Sequence, residues 1–172
     1  IFDSGSKLFF FFYDAKIYKQ IFNRPDKDNL QCELSKLNSW ADNWLLKLNI
    51  VKCKKVSFGR HIEGTEHYSI ANVELENVES IKDLGVTFDS HLKFEIHMSD
   101  KINKAYSILG IIRRNFKFLD KESFLVLYKS MVRSHLEYAN CIWSPHTVHD
   151  KKNVEKVQMR ATKIIKEIKH LG

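Results

Sequence analysis

The sequence predicts an α+β protein in which short antiparallel strands and one helix occupy residues 1–90 and a helical bundle occupies residues 91–172. Two patterns support this prediction. In the first half, short apolar and β-branched runs alternate with turn residues, as they do in strands. After Asp89, apolar residues recur at helical spacing in three successive stretches. The 172 residues, 44% of them hydrophobic, can bury the core of one domain or of two small lobes.

Several segments of the first half have sequence patterns that predict individual strands and one helix. A continuous apolar run predicts a central strand from Leu8 to Tyr13, covered on both faces. A turn signal followed by apolar residues at helical spacing predicts an amphipathic helix from Asp26 to Leu46, with Trp44 and Leu45 on its apolar face. Further strands are expected from Leu48 to Phe58, on both sides of Ala71 and Asn72, and from Ile81 to Phe88 around Gly85.

The three helical stretches of the second half are separated by Asp120 and by Ser144 and Pro145, residues of kinds that cap or end helices. The second stretch, from Lys121 to Ile142, is expected to be the central helix because its apolar face is broad. The third begins near an Asp150 cap and has a basic stripe beside its apolar face. The predicted core faces are Ile102, Ala105, Tyr106, Leu109, Ile112 and Phe116; Phe124, Leu127, Tyr128, Met131, Tyr138 and Ile142; and Val154, Val157, Ala161, Ile164 and Ile168.

The formal charge of +7 is distributed unevenly. Residues 1–90 carry 12 Lys and Arg against 13 Asp and Glu, whereas residues 91–172 carry 16 against eight. Clustered basic side chains gain free energy by neutralising phosphates, so the second half is expected to contact a polyanion. A solvated basic surface without a partner is the alternative.

Other residue types narrow the function. Three cysteines without a CxxC pair support neither a disulfide framework nor a zinc knuckle, and they fit a reducing intracellular compartment. His146 and His149 have no further ligand at metal spacing and are interpreted as turn histidines. Trp40, Trp44 and Trp143 could stack on bases, but their helical apolar positions favour a core role. The sequence shows no membrane segment, no nucleophile triad and no glycine-rich phosphate loop.

A polymerase-like motif, FFYDAKIY, occurs at residues 11–18. It resembles the FADDxKIY stretch of non-LTR retrotransposon reverse transcriptases, in which paired aspartates on a hairpin hold divalent cations. The two family aspartates fall on Tyr13 and Asp14, so only the second acid is present. A phenol with a pKa of about 10 cannot replace a carboxylate as a hard-cation ligand at neutral pH.

The resemblance continues from Leu8 to about Ile168. Its strongest segment, LYKSMVRSHLEYANCIWSP at residues 127–145, is similar to LYKSLVRPHLEYA...VWSP of the jockey-like family. Three further segments match in order: LSKLNSWADNWLLKLNIVKCK at 34–54, VESIKDLGVTFDSHLKFEIH at 78–97 and EKVQMRATKII at 155–165. On these motifs the chain is identified as a member of that family.

The resemblance implies a C-terminal part of the palm in residues 1–90 and a thumb in residues 91–172. Asp14 would be a catalytic residue and a ligand of an incomplete metal site. Lys52 matches a lysine that faces the incoming nucleotide, with a solvated strand lysine as the alternative. The segment around Lys82, Leu84 and Gly85 resembles the primer-grip hairpin, with a plain bulge or turn as the alternative.

The thumb-like half supplies the remaining nucleic-acid-binding candidates. Contacts to A-form or hybrid duplexes go mostly to phosphates and 2′-hydroxyls, so scattered cations suit a thumb. The candidates are Lys101, Lys104, Arg113, Arg114, Lys129, Arg133, Lys152, Lys156, Arg160 and Lys163.

The intact parent implied by the resemblance is an RNA-directed DNA polymerase that binds an RNA template and a DNA primer and uses Mg²⁺ and dNTPs. This chain has no initiator Met and lacks the family's upstream aspartate, so it is expected to be a fragment that binds no Mg²⁺ and is inactive alone. A non-catalytic RNA- or duplex-binding module derived from the thumb is one alternative, and a poorly folding remnant is another. The expected location is the nucleus or a cytoplasmic ribonucleoprotein, and the oligomeric state is left open.

Overall fold

In the computed structural model the chain is an α+β protein, described over residues 6–11, 14–60, 66–116 and 119–164. The chain forms two compact units, and the boundary between them lies between Glu79 and Ser80. The strands are β1 (Lys7–Phe11), β2 (Asp14–Tyr18), β3 (Lys54–Lys55), β4 (Ser69–Ile70), β5 (Val73–Glu74), β6 (Glu76–Asn77), β7 (Ser80–Asp83) and β8 (Val86–Asp89). The helices are α1 (Arg24–Asn43), α2 (Glu95–Asn115), α3 (Lys121–Leu127), α4 (Ser134–Glu137), α5 (Asn140–Trp143) and α6 (Val148–Thr162). None of these described helices combines the length and the apolar character that crossing a membrane requires.

Strand pairing in the first unit is limited to small ladders. β1 and β2 form an antiparallel hairpin, β4 and β5 form another, and β3 pairs with β6 in parallel. The prediction of a central strand from Leu8 to Tyr13 is wrong for the part of the chain that is described. There β1 pairs with β2 alone, and Phe9 is 53% exposed. A strand that is apolar on both faces is buried only when other elements pack on both faces. The apolar run alone cannot show whether the chain contains such elements.

The strand predicted from Leu48 to Phe58 is replaced by a 3-10 turn, Ile50–Lys52, followed by the short strand β3. The N–H group of Lys52 donates to the carbonyl of Asn49, and that of Cys53 donates to the carbonyl of Ile50. Because these local bonds satisfy the backbone, the segment does not need a long ladder.

The helix α1 begins and ends earlier than its apolar periodicity predicted. Asn23 Oδ1 accepts a hydrogen bond from the Asp26 N–H at 3.0 Å, and Asp26 Oδ2 accepts one from the Asn23 N–H at 3.2 Å. This reciprocal cap starts the helix at Arg24. At the other end, Leu45 adopts a left-handed conformation with φ 55°. Trp44 and Leu45 lie beyond the helix and are exposed, so their predicted place on the apolar face is wrong.

Two tight turns share one conformation. Ala71 and Asn72 have φ of 47° and 62°, and the hairpin predicted around them is confirmed. Leu84 and Gly85 have φ of 43° and 79°, so the single strand predicted around Gly85 is instead the β7–β8 hairpin. Two successive left-handed residues match the twist of antiparallel strands. The core cluster of the first unit consists of Leu34, Tyr68, Ile70 and Leu75.

The second unit is organised around α2, whereas the sequence placed the stretch 121–142 at its centre. The main neighbours of α2 are β8, the helical residues 128–137 and α6. Two core clusters lie along this helix. The larger cluster contains Ala105, Ile108, Leu109, Ile112, Phe124, Val132, Leu136, Val157 and Ala161. The smaller cluster contains Val86, Phe94, Met98 and Trp143.

A π-helical turn, Tyr128–Arg133, lies between α3 and α4. Four residues make slightly more than one turn of an α-helix and slightly less than one turn of the wider π-helix. A π turn therefore offsets the drift of the apolar face and keeps Phe124, Val132 and Leu136 in one cluster with α2. The predicted core residues that are exposed instead are Phe116, which directly follows α2, and Met131, Tyr138 and Ile142.

The last helix, α6, is capped by Thr147 rather than by the predicted Asp150. Thr147 Oγ1 accepts a hydrogen bond from the Asp150 N–H at 3.1 Å, so Asp150 lies in the first turn. Val157 and Ala161 are buried, as predicted. Ile168 lies outside the described residues.

The β7–β8 hairpin belongs to the same compact unit as the helices α2 to α6. Val86 is buried against Phe94 and Met98, and the rings of Phe88 and Phe94 lie 5.6 Å apart. The compact units therefore divide earlier than the boundary expected near residue 90. The assignment of residues 1–90 to a palm and of residues 91–172 to a thumb stays a prediction.

Candidate nucleic-acid interface

The motif predicted to hold metal, residues 11–18, includes the last residue of β1 and all of β2. The backbone of Asp14 begins β2 opposite Phe11. Tyr13 and the side chain of Asp14 lie outside the described residues. The metal-ligand and catalytic roles of Asp14 therefore stay predictions, as does the loss of a ligand at Tyr13.

Lys52, the candidate for contact with a nucleotide, ends the 3-10 turn of the first unit. Its side chain is exposed, and it lies on a turn instead of the strand that the sequence predicted. Its role toward a nucleotide stays a prediction.

The candidates Lys82, Leu84 and Gly85 lie at and beside the tip of the β7–β8 hairpin. Lys82 and Leu84 are exposed. A Cβ placed on Gly85 would lie 3.2 Å from Cε1 of Tyr138, which is closer than ordinary packing. Glycine at this position therefore allows both the left-handed turn and the close approach of a tyrosine ring.

Tyr138 contacts three of the candidates, although the sequence did not single it out for function. Its hydroxyl donates to the carbonyl of Leu84 at 2.8 Å, and Lys101 Nζ lies 5.5 Å from the centre of its ring. The apolar periodicity placed Tyr138 in the core, but the residue is 50% exposed. Because it lies 54 residues from Leu84 along the chain, no local pattern could reveal the contact.

His97 on α2 is a second polar residue that the sequence did not single out. It is 1% exposed, and its Nδ1 accepts a hydrogen bond from the Thr87 N–H at 3.2 Å. The imidazole is therefore neutral with its proton on Nε2, which is buried and without a hydrogen-bond partner in the described part of the chain. Burial lowers the pKa of His97, Lys101 and Lys82 lower it further, and Asp100 opposes them.

The four candidate cations of α2 do not share one face. Successive residues of an α-helix rotate by about 100°, so Lys101 and Lys104 project to the same side. Arg113 comes two and a half turns after Lys104 and therefore projects to the opposite side, with Arg114 between the two directions. Lys104, Arg113 and Arg114 are exposed, and Lys101 is half-buried. A duplex that lies along one side of α2 therefore cannot contact all four side chains.

The candidates of α6 do form a stripe. Lys152, Lys156, Arg160 and Lys163 recur at intervals of three and four residues and are all exposed. Lys156 donates to Asn153 Oδ1 at 3.2 Å, and the guanidinium of Arg160 lies 5.4 Å from the centre of the Tyr106 ring on α2. These contacts restrict two of the four side chains and leave the charges exposed.

Lys129 and Arg133 project from the π turn and are exposed. Arg133 Nε donates to Glu137 Oε1 at 2.5 Å, so this candidate has an intramolecular acidic partner. A cleft of about 390 Å³ adjoins Arg133 and is lined mainly by apolar side chains, including Phe124, Tyr128 and Ala161.

The remaining sequence candidates divide between core and surface. Trp143 is buried, as its predicted core role requires, whereas Trp44 is exposed. His146 and His149 are both exposed at the start of α6. Among the described residues, no group of three or more His, Cys, Asp and Glu is arranged to hold a metal ion.

Comparison with known proteins relates the chain to polymerases of mobile elements. It is 23% identical over 144 residues to the RNA-directed DNA polymerase from mobile element jockey of Drosophila melanogaster, and 26% identical over 148 residues to the protein of that name from Drosophila funebris. A probable RNA-directed DNA polymerase from transposon X-element of Drosophila melanogaster is 23% identical over 145 residues. These alignments cover 81%, 82% and 80% of this chain, respectively. The chain is thus similar to RNA-directed DNA polymerases of jockey-type mobile elements.

The resemblance to the jockey-like family that the motifs predicted is thereby confirmed. This jockey-related chain spans about 15% of the length of the two jockey polymerases and 16% of the length of the X-element protein. No family model matches the chain, and no solved structure matches it.

Proposed function

We propose that this chain is the palm end and thumb of a non-LTR reverse transcriptase, and that its second unit holds the duplex of RNA template and DNA primer. The observation that carries the proposal is the alignment of about four fifths of the chain with three RNA-directed DNA polymerases. Because the chain spans about 15% of the jockey proteins, their whole activity does not pass to it directly. Duplex binding is one part of polymerase activity, and the excess of basic side chains in residues 91–172 suits it.

The charge of the second half supports duplex binding. Residues 91–172 carry twice as many basic as acidic side chains, and α6 presents its exposed cations along one stripe. Each phosphate that such a cation neutralises releases counterions, so binding should weaken steeply with salt. Phosphate and sugar contacts position a duplex without reading its bases, so binding should depend little on sequence.

Titration of the full chain onto a labelled RNA–DNA hybrid at several salt concentrations tests this function. We expect a slope of log affinity against log salt that corresponds to several phosphate contacts. The double variant Lys152→Glu with Lys156→Glu should lower the affinity and reduce the slope by about two contacts. Lys36→Glu with Lys47→Glu, which makes the same change of charge on exposed lysines of the first unit, should have little effect. Failure of the wild-type chain to bind at low salt would refute the proposal.

We also propose that the chain does not polymerise alone. Catalysis by two divalent cations requires carboxylates close together, and Mg²⁺ prefers charged oxygen ligands. At the motif this chain offers Tyr13, whose phenol stays protonated at neutral pH, beside the single carboxylate of Asp14. This donor pair does not fit the Mg²⁺ site of the intact parent, so no catalytic step is assigned to these residues. Primer extension with Mg²⁺ and dNTPs, under conditions in which the hybrid is bound, should yield no template-dependent product.

A non-catalytic duplex- or RNA-binding module is the second candidate, and Tyr13 in place of an acid favours it. The two candidates differ in their need for the rest of a polymerase. A jockey-type polymerase truncated before the matching segment should regain primer extension when the Tyr13→Asp variant of this chain, which restores the paired carboxylates, is added if the chain acts as a palm end and thumb. Hybrid binding without such rescue would favour the binding module.

A further inference from the structure

The backbone of Tyr138 is held on both sides. Its N–H donates to the carbonyl of Ser134, the first residue of α4, and its carbonyl accepts a hydrogen bond from Trp143 Nε1 at 2.7 Å. Trp143 is itself buried in the smaller core cluster, and Ala139 takes a left-handed conformation with φ 53°. The chain therefore leaves the helix at Tyr138 in a defined direction, although the side chain is half-exposed.

The side chain of Tyr138 reaches the hairpin tip. Its hydroxyl donates to Leu84, and its ring lies against Gly85, where any larger residue would meet it. The strand β8 is packed on α2 through Val86 and Thr87, whereas Tyr138 contacts the two turn residues themselves. The contacts with Tyr138 therefore fix where the tip lies relative to the helices of the same unit.

Lys101 reaches the same tyrosine from α2. Its ammonium group lies over the ring of Tyr138, an arrangement that is favourable yet leaves N–H groups free to donate to an anion. Lys82 lies on β7, two residues before Leu84 at the hairpin tip, and its charge, like that of Lys101, contributes to lowering the pKa of His97. Asp100 also acts on His97 with the opposite sign, so net charge alone does not make this corner basic. The positions of the ammonium groups decide whether a phosphate can bind.

We propose that the hairpin tip, Lys82 and Lys101 form one corner that binds the phosphate backbone of a duplex, and that Tyr138 is the positioning residue that holds the corner together. This inference rests on the proposed duplex-binding function. The sequence had already suggested the hairpin tip and the two lysines, and the contacts of Tyr138 add the residue that joins the tip to Lys101. Tyr138 acts through the tip and through Lys101, and it need not touch the nucleic acid itself.

Salt-dependent binding of an RNA–DNA hybrid to the full chain tests this role in four variants. Tyr138→Phe should speed amide exchange at Val86, beside the turn, and weaken binding. Tyr138→Leu, which also removes the support of Lys101, should reduce the salt slope by about one phosphate contact, on the order of 0.7 to 0.9. Lys101→Gln should reduce the slope by a similar amount without affecting exchange at Val86. The double variant Tyr138→Leu with Lys101→Gln should lose no more than the weaker-binding single variant, because both changes remove the same contact.

Tyr68→Phe is the matched control, since Lys55 Nζ also lies 5.5 Å from the centre of the Tyr68 ring, in the first unit. It should bind the hybrid as the wild type does. If the wild type binds and the Tyr138 variants keep its affinity and slope, or if the double variant shows additive losses, the positioning role is overturned while duplex binding stands. If the wild type itself does not bind at low salt, the proposed function fails and the corner fails with it.

Discussion

The imidazole of His97 and the indole of Trp143 pack edge to face in the second unit, with ring centroids 5.3 Å apart and an interplanar angle of 65°. The Thr87 N–H donates to the imidazole, so β8 is joined to α2 through an uncharged histidine. Protonation of Nδ1 would set two N–H groups against each other and would place a charge beside a buried indole. The packing of the hairpin on α2 is therefore sensitive to acid.

Acidification should destabilise the second unit through His97. Because burial lowers the pKa of His97 in the folded state, with Lys101 and Lys82 adding to this effect and Asp100 opposing it, the unfolded chain takes up a proton first. Stability should be full above the unfolded pKa of about 6.5 and should fall as the pH drops from there to the folded pKa. Thermal unfolding between about pH 5 and pH 8 measures this.

The variant His97→Asn keeps an acceptor for the Thr87 N–H but cannot titrate in this range. Its thermal midpoint should depend less on pH than that of the wild type. His146→Asn, which changes an exposed histidine, should follow the wild-type curve. Equal pH dependence in His97→Asn and the wild type would show that His97 does not set the acid response.

Two glycines should respond in opposite directions to replacement by alanine. Gly85→Ala puts a side chain at φ 79° and 3.2 Å from the Tyr138 ring, so we expect a loss of about 1 to 2 kcal/mol in the free energy of unfolding. Gly110→Ala lies within α2 with nothing near the new methyl group, so it should gain about 0.5 to 1 kcal/mol. Urea unfolding of both variants measures the difference. A neutral Gly85→Ala would contradict the close contact.

Sequence patterns predicted those elements whose conformation depends on neighbouring residues. The hairpin at Ala71 and Asn72 formed without a glycine because asparagine tolerates the left-handed region. The helices α2 and α6 follow from apolar periodicity, which the buried residues Leu109 and Val157 confirm. The family could also be predicted, because its motifs are runs of particular residues.

Features that depend on distant parts of the chain could not be predicted. Leu45 fits the apolar periodicity of α1, yet the helix ends before it and leaves it 91% exposed. The π turn depends on packing against α2, and no residue type in it marks a change of pitch. The candidate cations were chosen by charge, and charge does not show to which side of a helix a side chain projects. Lys104 and Arg113 were therefore grouped although they project to opposite sides of α2. Tyr138 was missed for a different reason, because its hydroxyl meets a carbonyl that lies 54 residues away in the sequence.

Asp89 should stabilise the loop that joins β8 to α2. Its carboxylate accepts hydrogen bonds from the N–H groups of His91, Lys93 and Phe94 at 3.0, 3.1 and 2.6 Å. Asp89→Asn should lower the free energy of unfolding by about 1 to 3 kcal/mol, because it weakens charge-assisted bonds and adds a donor. Chemical unfolding at neutral pH measures the loss, and Asp28→Asn at an exposed site of α1 should cost far less.

The contribution of Asp89 should disappear in acid. Partial burial would by itself raise the pKa of Asp89, but the backbone hydrogen bonds from Lys93, Phe94 and His91 outweigh burial and lower it. The stabilisation is therefore present above the unfolded pKa of about 3.9 and is lost as the pH falls through the folded pKa. A difference between wild type and Asp89→Asn that persists in strong acid would argue against the charge as its source.

The π turn should tolerate the deletion of one residue, whereas a regular α-helix should not. Deleting the exposed Met131 can convert the wide turn into an α-helical one while Phe124 and Leu136 keep facing α2. We expect far-UV circular dichroism and a thermal midpoint close to those of the wild type. Deleting the exposed Glu155 from the regular helix α6 rotates Val157 and the residues after it by about 100° and should be strongly destabilising. If both deletions unfold the protein to the same extent, the π turn does not accommodate an extra residue that the helix can lose.

Glu137 should restrain duplex binding by holding Arg133. The guanidinium donates to the Glu137 carboxylate at 2.5 Å, so a phosphate must compete with an intramolecular partner. Glu137→Gln should raise the affinity for an RNA–DNA hybrid and steepen the salt slope by up to about one contact. Glu122→Gln, on the same helical stretch, removes one negative charge without freeing an arginine from an ion pair seen in the structure. Because both variants change the net charge equally, only a larger effect of Glu137→Gln supports a role for Arg133, and equal effects would assign the gain to general electrostatics.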